Sequence, residues 1–375
     1  MITGKKNFLA VLITMLIMVA CSSSSDDSPS DSGDNFDRGA LLVNMADNII
    51  IPAFEDLQTK LSAVDIARGN FINDINQTNL DLLSDAWLEA YKTWQYVEMF
   101  NIGKAEERGG DKGFVSFFNI YPLTIEDVQN GAASKNYDLD SSNFHDAQGF
   151  PALDFLIHGI ANSDTSAIDK FISNTNKEGY ISYLTDVVAQ MNALNNSFAN
   201  DWKNNYRDTF VSATGNTVTS SLNKIVNDYI FYYEKGLRAN KIGIPAGNFS
   251  NAPLADKVEA LYKDDVSKAL TLEALNAVQD MFNGKQYNGT STGESFRTYL
   301  AFLDRNDIVT LLNSRFDDAR QKIEVLDDSF FSQVNTDNTK MTEAFDALQL
   351  AVVTLKVDMV NAFDIRLDFV DADGD

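Results

Sequence analysis

The stretch YISYLTDVVAQMNALNNSF, residues 180–198, places apolar side chains at Tyr180, Leu184, Val187, Met191, Leu194 and Phe198. Steps of four and three keep these side chains on one face of a helix and leave the intervening polar residues on the other. A second stretch, LNSRFDDARQKIEVLDDSF, residues 312–330, repeats the spacing at Leu312, Phe316, Ala319, Ile323, Leu326 and Phe330, at one constant offset. The residues that follow also correspond: Val218, Leu222, Ile225, Tyr229 and Tyr232 answer to Met341, Phe345, Leu348, Val352 and Leu355. Two hairpins with a continuous apolar seam are the material of helical bundles. The spacing alone suits any pair of amphipathic hairpins; the Ser-Phe pair shared at 197–198 and 329–330 favours a duplication.

Outward from these hairpins the helical pattern continues. Leu80, Leu83, Trp87, Tyr91, Trp94 and Val97 form another stripe, and extended alternation is scarce. The expectation is an all-α chain of two bundle domains, duplicated four-helix-bundle-like halves at residues 38–235 and 236–370. They join near Gly236 to Pro253. Within the junction, Lys241-Ile242-Gly243-Ile244-Pro245-Ala246-Gly247 carries three backbone punctuators and reads as a shaped loop. No Gly-Lys-Ser/Thr follows it, so it is not a phosphate loop.

The chain begins with Lys5 and Lys6, an apolar run from Phe8 to Ala20, and then its one cysteine, Cys21. A basic start and a short apolar run describe a secretory signal, here residues 1–20. Met18-Val19-Ala20-Cys21 resembles the lipobox of bacterial lipoproteins, which implies lipidation of Cys21 and membrane attachment through that lipid. Residues 21–37, rich in Ser and Asp, are too polar to fold and read as a disordered tether. Ser22 to Asp27 is similar to the acidic tethers that send Bacteroidetes lipoproteins to the outer face of the outer membrane. A surface-exposed outer-membrane lipoprotein is therefore expected, with a periplasm-facing one as the alternative.

The formal charge is −24. Such a chain is repelled by nucleic-acid phosphate, and no nucleic-acid partner is expected. With its cysteine acylated, no disulfide, thiolate metal site or cysteine nucleophile remains. Two histidines, His145 and His158, leave any metal site dependent on oxygen donors, which suit hard cations. The last residues, 371–375, form an acidic tail that starts like a calcium loop and lacks its closing glutamate. There is no HExxH and no Gly-x-Ser-x-Gly, so no familiar hydrolase machinery is visible.

The segment Gly149-Phe150-Pro151-Ala152-Leu153-Asp154, followed by an apolar run to His158, resembles the Gly-x-His-x-x-Glu motif of imelysin-like proteins. Ala86 to Tyr91 with Glu98-Met99-Phe100, Asn48 to Phe54, and Tyr233 to Gly236 with Lys241 to Gly247 resemble other blocks of that family, in the same order. The resemblance implies two facing helical bundles with the motif between them. It also implies a role in bacterial iron uptake, or the metallopeptidase activity under which the family was first classed.

Here Pro151 stands for the motif histidine and Asp154 for its glutamate, so one of two ligands three residues apart is gone. Proline suits a helix start, and Asp154 near the same N-terminus suits the helix dipole. A direct ligand role for Asp154 is the other reading.

His145 is a loop residue or a ligand. Glu98 continues the apolar stripe or reaches water at its end. The candidate ligand-binding set is Gly149, Phe150, Pro151, Asp154, Glu98 and Lys241, with Asp154, Glu98 and His145 as candidate ligands for iron or another hard divalent or trivalent cation. The functions implied are a non-enzymatic lipoprotein binding a metal ion or polar small molecule, a metallopeptidase, or a scaffold for glycan or protein.

Overall fold

The computed structural model describes residues 34–109 and 113–368. Cys21, the leader, most of the tether and the 371–375 tail lie outside them. Among the described residues there is no strand, only an isolated bridge between Lys285 and Thr292. The fold is all-helical, as the periodicity predicts.

The helices used below are α1 Ile51–Asn73, α2 Gln77–Trp94, α3 Ile125–Ser134, α4 Gly149–His158, α5 Lys177–Asp201, α6 Ser221–Phe231, α7 Ser267–Asn283, α8 Asn306–Glu324 and α9 Phe330–Val353. Their boundaries follow local chemistry. Pro52 lies where a π-helical stretch, Met45–Ile50, passes without a break into α1. Asn76 caps α2 by accepting the Asn79 N–H at 3.0 Å. Gly284, at φ +68°, ends α7 in the left-handed conformation.

α1, α2 and α5 pack together, with α3 and α4 laid against α5. In the second half of the chain α7, α8 and α9 pack together with the helical segment Tyr232–Gly243. Leu80, Leu83, Trp87, Tyr91 and Trp94 of α2 are all buried, and so are Leu312, Phe316, Ala319 and Ile323 of α8. Both predicted seams are therefore core. The described chain from residue 35 onward forms one compact unit. No described helix is long and apolar enough to cross a membrane.

Two details of the sequence reading change. Leu194–Phe198 lies inside α5, where Asn195 donates to the Phe54 carbonyl at 3.1 Å. Its counterpart at 326–330 is a turn that ends with Ser329 capping α9 through the Ser332 N–H. The shared Ser-Phe pair is thus not a shared structure: Ser329 is a cap, while the first copy continues as helix. The second change concerns Lys241 to Gly247. This segment is helical to Ala246, continuing α6 without a break through a π-helical stretch, Tyr232–Gly243, and a final turn, Ile244–Ala246. Pro245 is carried inside this continuous helix, just past the π-helical stretch, and only Gly247, at φ +84°, stops it. The helix therefore runs straight through the predicted 235/236 boundary. A π-helical run of this length is rare, and wide helical turns concentrate at functional sites.

Candidate functional site

The helix stripe of α2 ends at Trp94, and residues 95–99 continue as tight turns. The Glu98 N–H still bonds the Trp94 carbonyl at 2.9 Å. This turn sends the Glu98 side chain inward, where it accepts from Trp94 Nε1 at 3.0 Å and Asn119 Nδ2 at 3.4 Å. Glu98 is 6% exposed. The inward direction matches one sequence reading, although a turn rather than a helical repeat produces it.

Lys241, from the π-helical segment, reaches Glu259 with Nζ–Oε2 at 2.6 Å. Both side chains are almost wholly buried. Asn119 donates to the other Glu259 oxygen at 3.0 Å, and Tyr91 donates to Asn119 Oδ1. Gln95 donates weakly to Glu259, at 3.4 Å. The cluster thus holds two carboxylates and one ammonium in a largely dry space. Sequence reasoning missed Glu259. It lies in the turns between Leu254 and Val266, with no periodicity and no motif to mark it.

Burial raises the Glu98 carboxyl from its ordinary value of 4.5 to about 7. That value already includes the lowering by Lys241, Asn119 and Trp94 and the upward push of the nearby Glu259 charge. Between pH 4.5 and about 7 the folded protein keeps a proton that the unfolded chain releases. Stability therefore falls as pH rises through that window, by up to about 3 kcal/mol at ~1.4 kcal/mol per unit. The expected result is that Glu98→Gln flattens this part of a urea-denaturation pH profile; an unchanged profile would show that Glu98 is not the group responsible.

The variant motif lies beside this cluster. Gly149 has φ +70°, and a Cβ there would fall 2.2 Å from the Phe118 carbonyl oxygen. Glycine alone allows α4 to begin against that backbone. Phe150 is fully buried, stacked on Tyr91 at 4.4 Å, and its carbonyl accepts from Trp87 Nε1 at 3.2 Å. Pro151 is buried in the first turn of α4.

Asp154 is one turn further in than a helix-start role requires. It is 1% exposed. Its Oδ2 accepts the Tyr262 N–H at 2.9 Å, and its Oδ1 accepts the Lys263 N–H at 2.8 Å. His158 Nδ1 meets Oδ1 at 2.9 Å, and His158 Nε2 meets Ser84 Oγ at 2.8 Å. The carboxylate is a latch joining α4 to the turns after Val258. The helix-dipole account is corrected accordingly: backbone amides from a distant segment, not the amides of its own helix, satisfy Asp154. His158 was readable, since residues 154 and 158 share a helix face.

The proposed metal set does not converge. His145 packs edge-on against Phe117 at 4.9 Å. Asp154 has both oxygens taken by amide hydrogens, and Glu98 belongs to the Lys241 cluster. Among the described residues no three or more His, Cys, Asp or Glu side chains form a group able to hold a metal. Pro151 offers no donor atom, and the Lys241 ammonium already balances Glu259. These residues do not fit a metal ion at the motif.

Glu98 and Lys241 therefore come together, and Gly149, Phe150, Pro151 and Asp154 form a neighbouring layer. Tyr91 connects them, with its ring on Phe150 and its hydroxyl on Asn119. The 259–263 turns also connect them, carrying Glu259 at one end and the amides bound by Asp154 at the other. Two cavities, each of about 300 Å³, open on this arrangement. One is lined by Tyr121, Pro151, Asp154 and Tyr262, the other by Glu98, Val115, Asp228 and Tyr232.

Residues 50–359 match the family model described as Imelysin. Among solved structures, one described as an iron-regulated protein A precursor from Parabacteroides distasonis superposes with TM-score 0.69 at 16% identity, covering 89% of this chain and 98% of that one. An imelysin-like protein from Psychrobacter arcticum superposes with TM-score 0.67 at 17% identity, covering 88% of this chain and 97% of that one. No curated protein matches the chain.

Proposed function

The chain belongs to the imelysin family, and from that premise we propose that it is a non-enzymatic, lipid-anchored binding protein of the bacterial envelope that assists iron uptake. The observation that carries this reading is the employment of Asp154. Both of its oxygens hold backbone amides of the 262–263 turn, so the variant motif builds the site and does no chemistry there. What faces the cavities is a mixed polar lining of buried carboxylates, amides and tyrosines, suited to holding a polar ligand. The description of the Parabacteroides relative as iron-regulated supports the connection to iron. The metallopeptidase reading needs a metal and a polarised water, and the motif offers no donor set for them. The scaffold reading leaves the buried Glu98–Glu259–Lys241 cluster without a use.

Anchoring rests on Met18-Val19-Ala20-Cys21 and on the acidic tether that follows, with the cell surface as the proposed destination. Cys21→Ser is expected to abolish metabolic labelling with palmitate and to release the protein from the membrane fraction or leave it unprocessed. Absence of label in the unaltered protein would refute the anchor. For function, protein levels should rise several-fold when cells are starved of iron by a chelator. The purified protein should not cleave denatured casein with added zinc, manganese or iron. Metal-dependent cleavage that is lost in Asp154→Ala would establish the peptidase instead.

A further inference from the structure

The cavity beside Glu98 has a chemistry that the cluster beneath it does not explain. It is walled by the turn carrying Glu98 and Met99, by Val115 and Ile120, and by Asp228 and Tyr232 from the continuous helix of α6 and its π-helical extension. The Tyr232 side chain is 4% exposed, and its hydroxyl has no hydrogen-bond partner. A buried hydroxyl left unpaired is costly and marks a place where a ligand atom fits.

Neither carboxylate has an ammonium to itself: the lysine that acts on each is held by another glutamate. Burial pushes Asp228 well above the usual carboxylate range, and Glu106 and Asp368 add to the shift. Lys224 opposes it, but its ammonium is engaged by Glu106 at 3.2 Å. Glu98 shares Lys241 with Glu259, which holds that ammonium at 2.6 Å. Tyr121 and Tyr232 face the same pair of glutamates and supply no positive charge.

We propose that this cavity binds a small organic ammonium ion with an apolar body, its N–H groups donating to Glu98, Asp228 and the Tyr232 hydroxyl while the body packs on Met99, Val115 and Ile120. This rests on the reading of the chain as a binding protein and names the ligand class of that site. The volume, about 300 Å³, is at the small end of ligand pockets and suits a molecule of amino-acid size. For a bare metal ion the cavity offers only two carboxylates, and no group of three or more His, Cys, Asp or Glu among the described residues is placed to hold one. Lys235 lines the same cavity and makes no ion pair among the described residues. Its ammonium is placed to receive a ligand carboxylate, so the ammonium group belongs either to a simple amine or to an amino acid. Because binding draws Glu98 and Asp228 into their charged forms, protons leave the protein on binding and affinity rises with pH through neutrality.

The test is calorimetric titration of the mature lipoprotein in detergent with phenethylamine, phenylalanine and 3-phenylpropionate. At least one of the two ammonium ligands should bind, and 3-phenylpropionate should not. Binding heat should vary with the ionisation enthalpy of the buffer. Asp228→Asn, and Val115→Trp to fill the space, should each weaken binding by about tenfold or more, with melting temperature checked to show both fold. Tighter binding of phenylalanine, with Lys235→Ala removing the difference, identifies a zwitterion; equal or tighter binding of phenethylamine identifies an amine, and either supports the assignment. Binding of neither ammonium ligand, binding of 3-phenylpropionate, or unchanged affinity in both variants would overturn it. That outcome leaves the iron-starvation and casein results standing, whereas a positive peptidase assay would remove the functional reading and leave the titration intact.

Discussion

Lys241→Met lowers the unfolding free energy by about 4 kcal/mol, because removing one member of a buried ion pair strands the other. Glu259, paired with Lys241 at 2.6 Å, would keep only the amides of Asn119 and Gln95 as direct donors. Glu98, itself buried, would lose the charge that lowers its proton affinity. Two carboxylates without a cation cannot both remain ionised in a space this dry. The double variant Lys241→Met with Glu259→Gln should recover most of the loss, since a neutral pair of similar volume leaves no charge uncompensated. Denaturant titration measures both. A loss below about 1 kcal/mol in the single variant would mean that water reaches Glu259 and that the cluster is not dry.

Asp154→Ala is expected to cost about 3–4 kcal/mol, the second large effect. The substitution leaves the Tyr262 and Lys263 amides without their acceptor and takes from His158 its Nδ1 partner. Each charge-assisted bond contributes roughly 1.5–3 kcal/mol, and a buried amide left unpaired adds its own penalty. Asp154→Asn should cost less, about 2 kcal/mol, because one oxygen remains to accept while the amide group faces a donor. A residue kept only as a ligand would behave oppositely, with binding lost and unfolding unchanged.

Much of the fold was legible because it rests on periodicity. The seams at Tyr180–Phe198 and Leu312–Ile323 are buried as the spacing demands apart from the half-buried Leu194, and α2 buries Leu80, Leu83, Trp87, Tyr91 and Trp94. Where the reading relied on punctuation it went wrong. Gly243 and Pro245 looked like loop residues, yet a π-helical run takes in the glycine and the helix carries the proline to its last turn before Gly247. The Ser-Phe pair looked like a landmark, yet only Ser329 is a cap.

The site was half legible. Glu98 and Lys241 meet around Glu259, with Gly149 and Asp154 in the neighbouring layer, but the partners that decide what these side chains do come from the turns after Leu254. Glu259 and the amides of Tyr262 and Lys263 carry no sequence signal, because an acceptor recognises a backbone amide of any residue type. The pairing of Asp154 with His158, four residues apart on one helix, was the one missed contact that spacing alone reveals.

In this imelysin-family chain the motif carboxylate, Asp154, holds two backbone amides. Amide hydrogen exchange at Tyr262 and Lys263 tests it most directly. Both amides should be strongly protected in the unaltered protein, should stay protected when iron or zinc is added, and should lose protection selectively in Asp154→Ala. Rapid exchange in the unaltered protein, or protection that collapses when the metal is added, would show instead that the carboxylate is free to turn toward a cation.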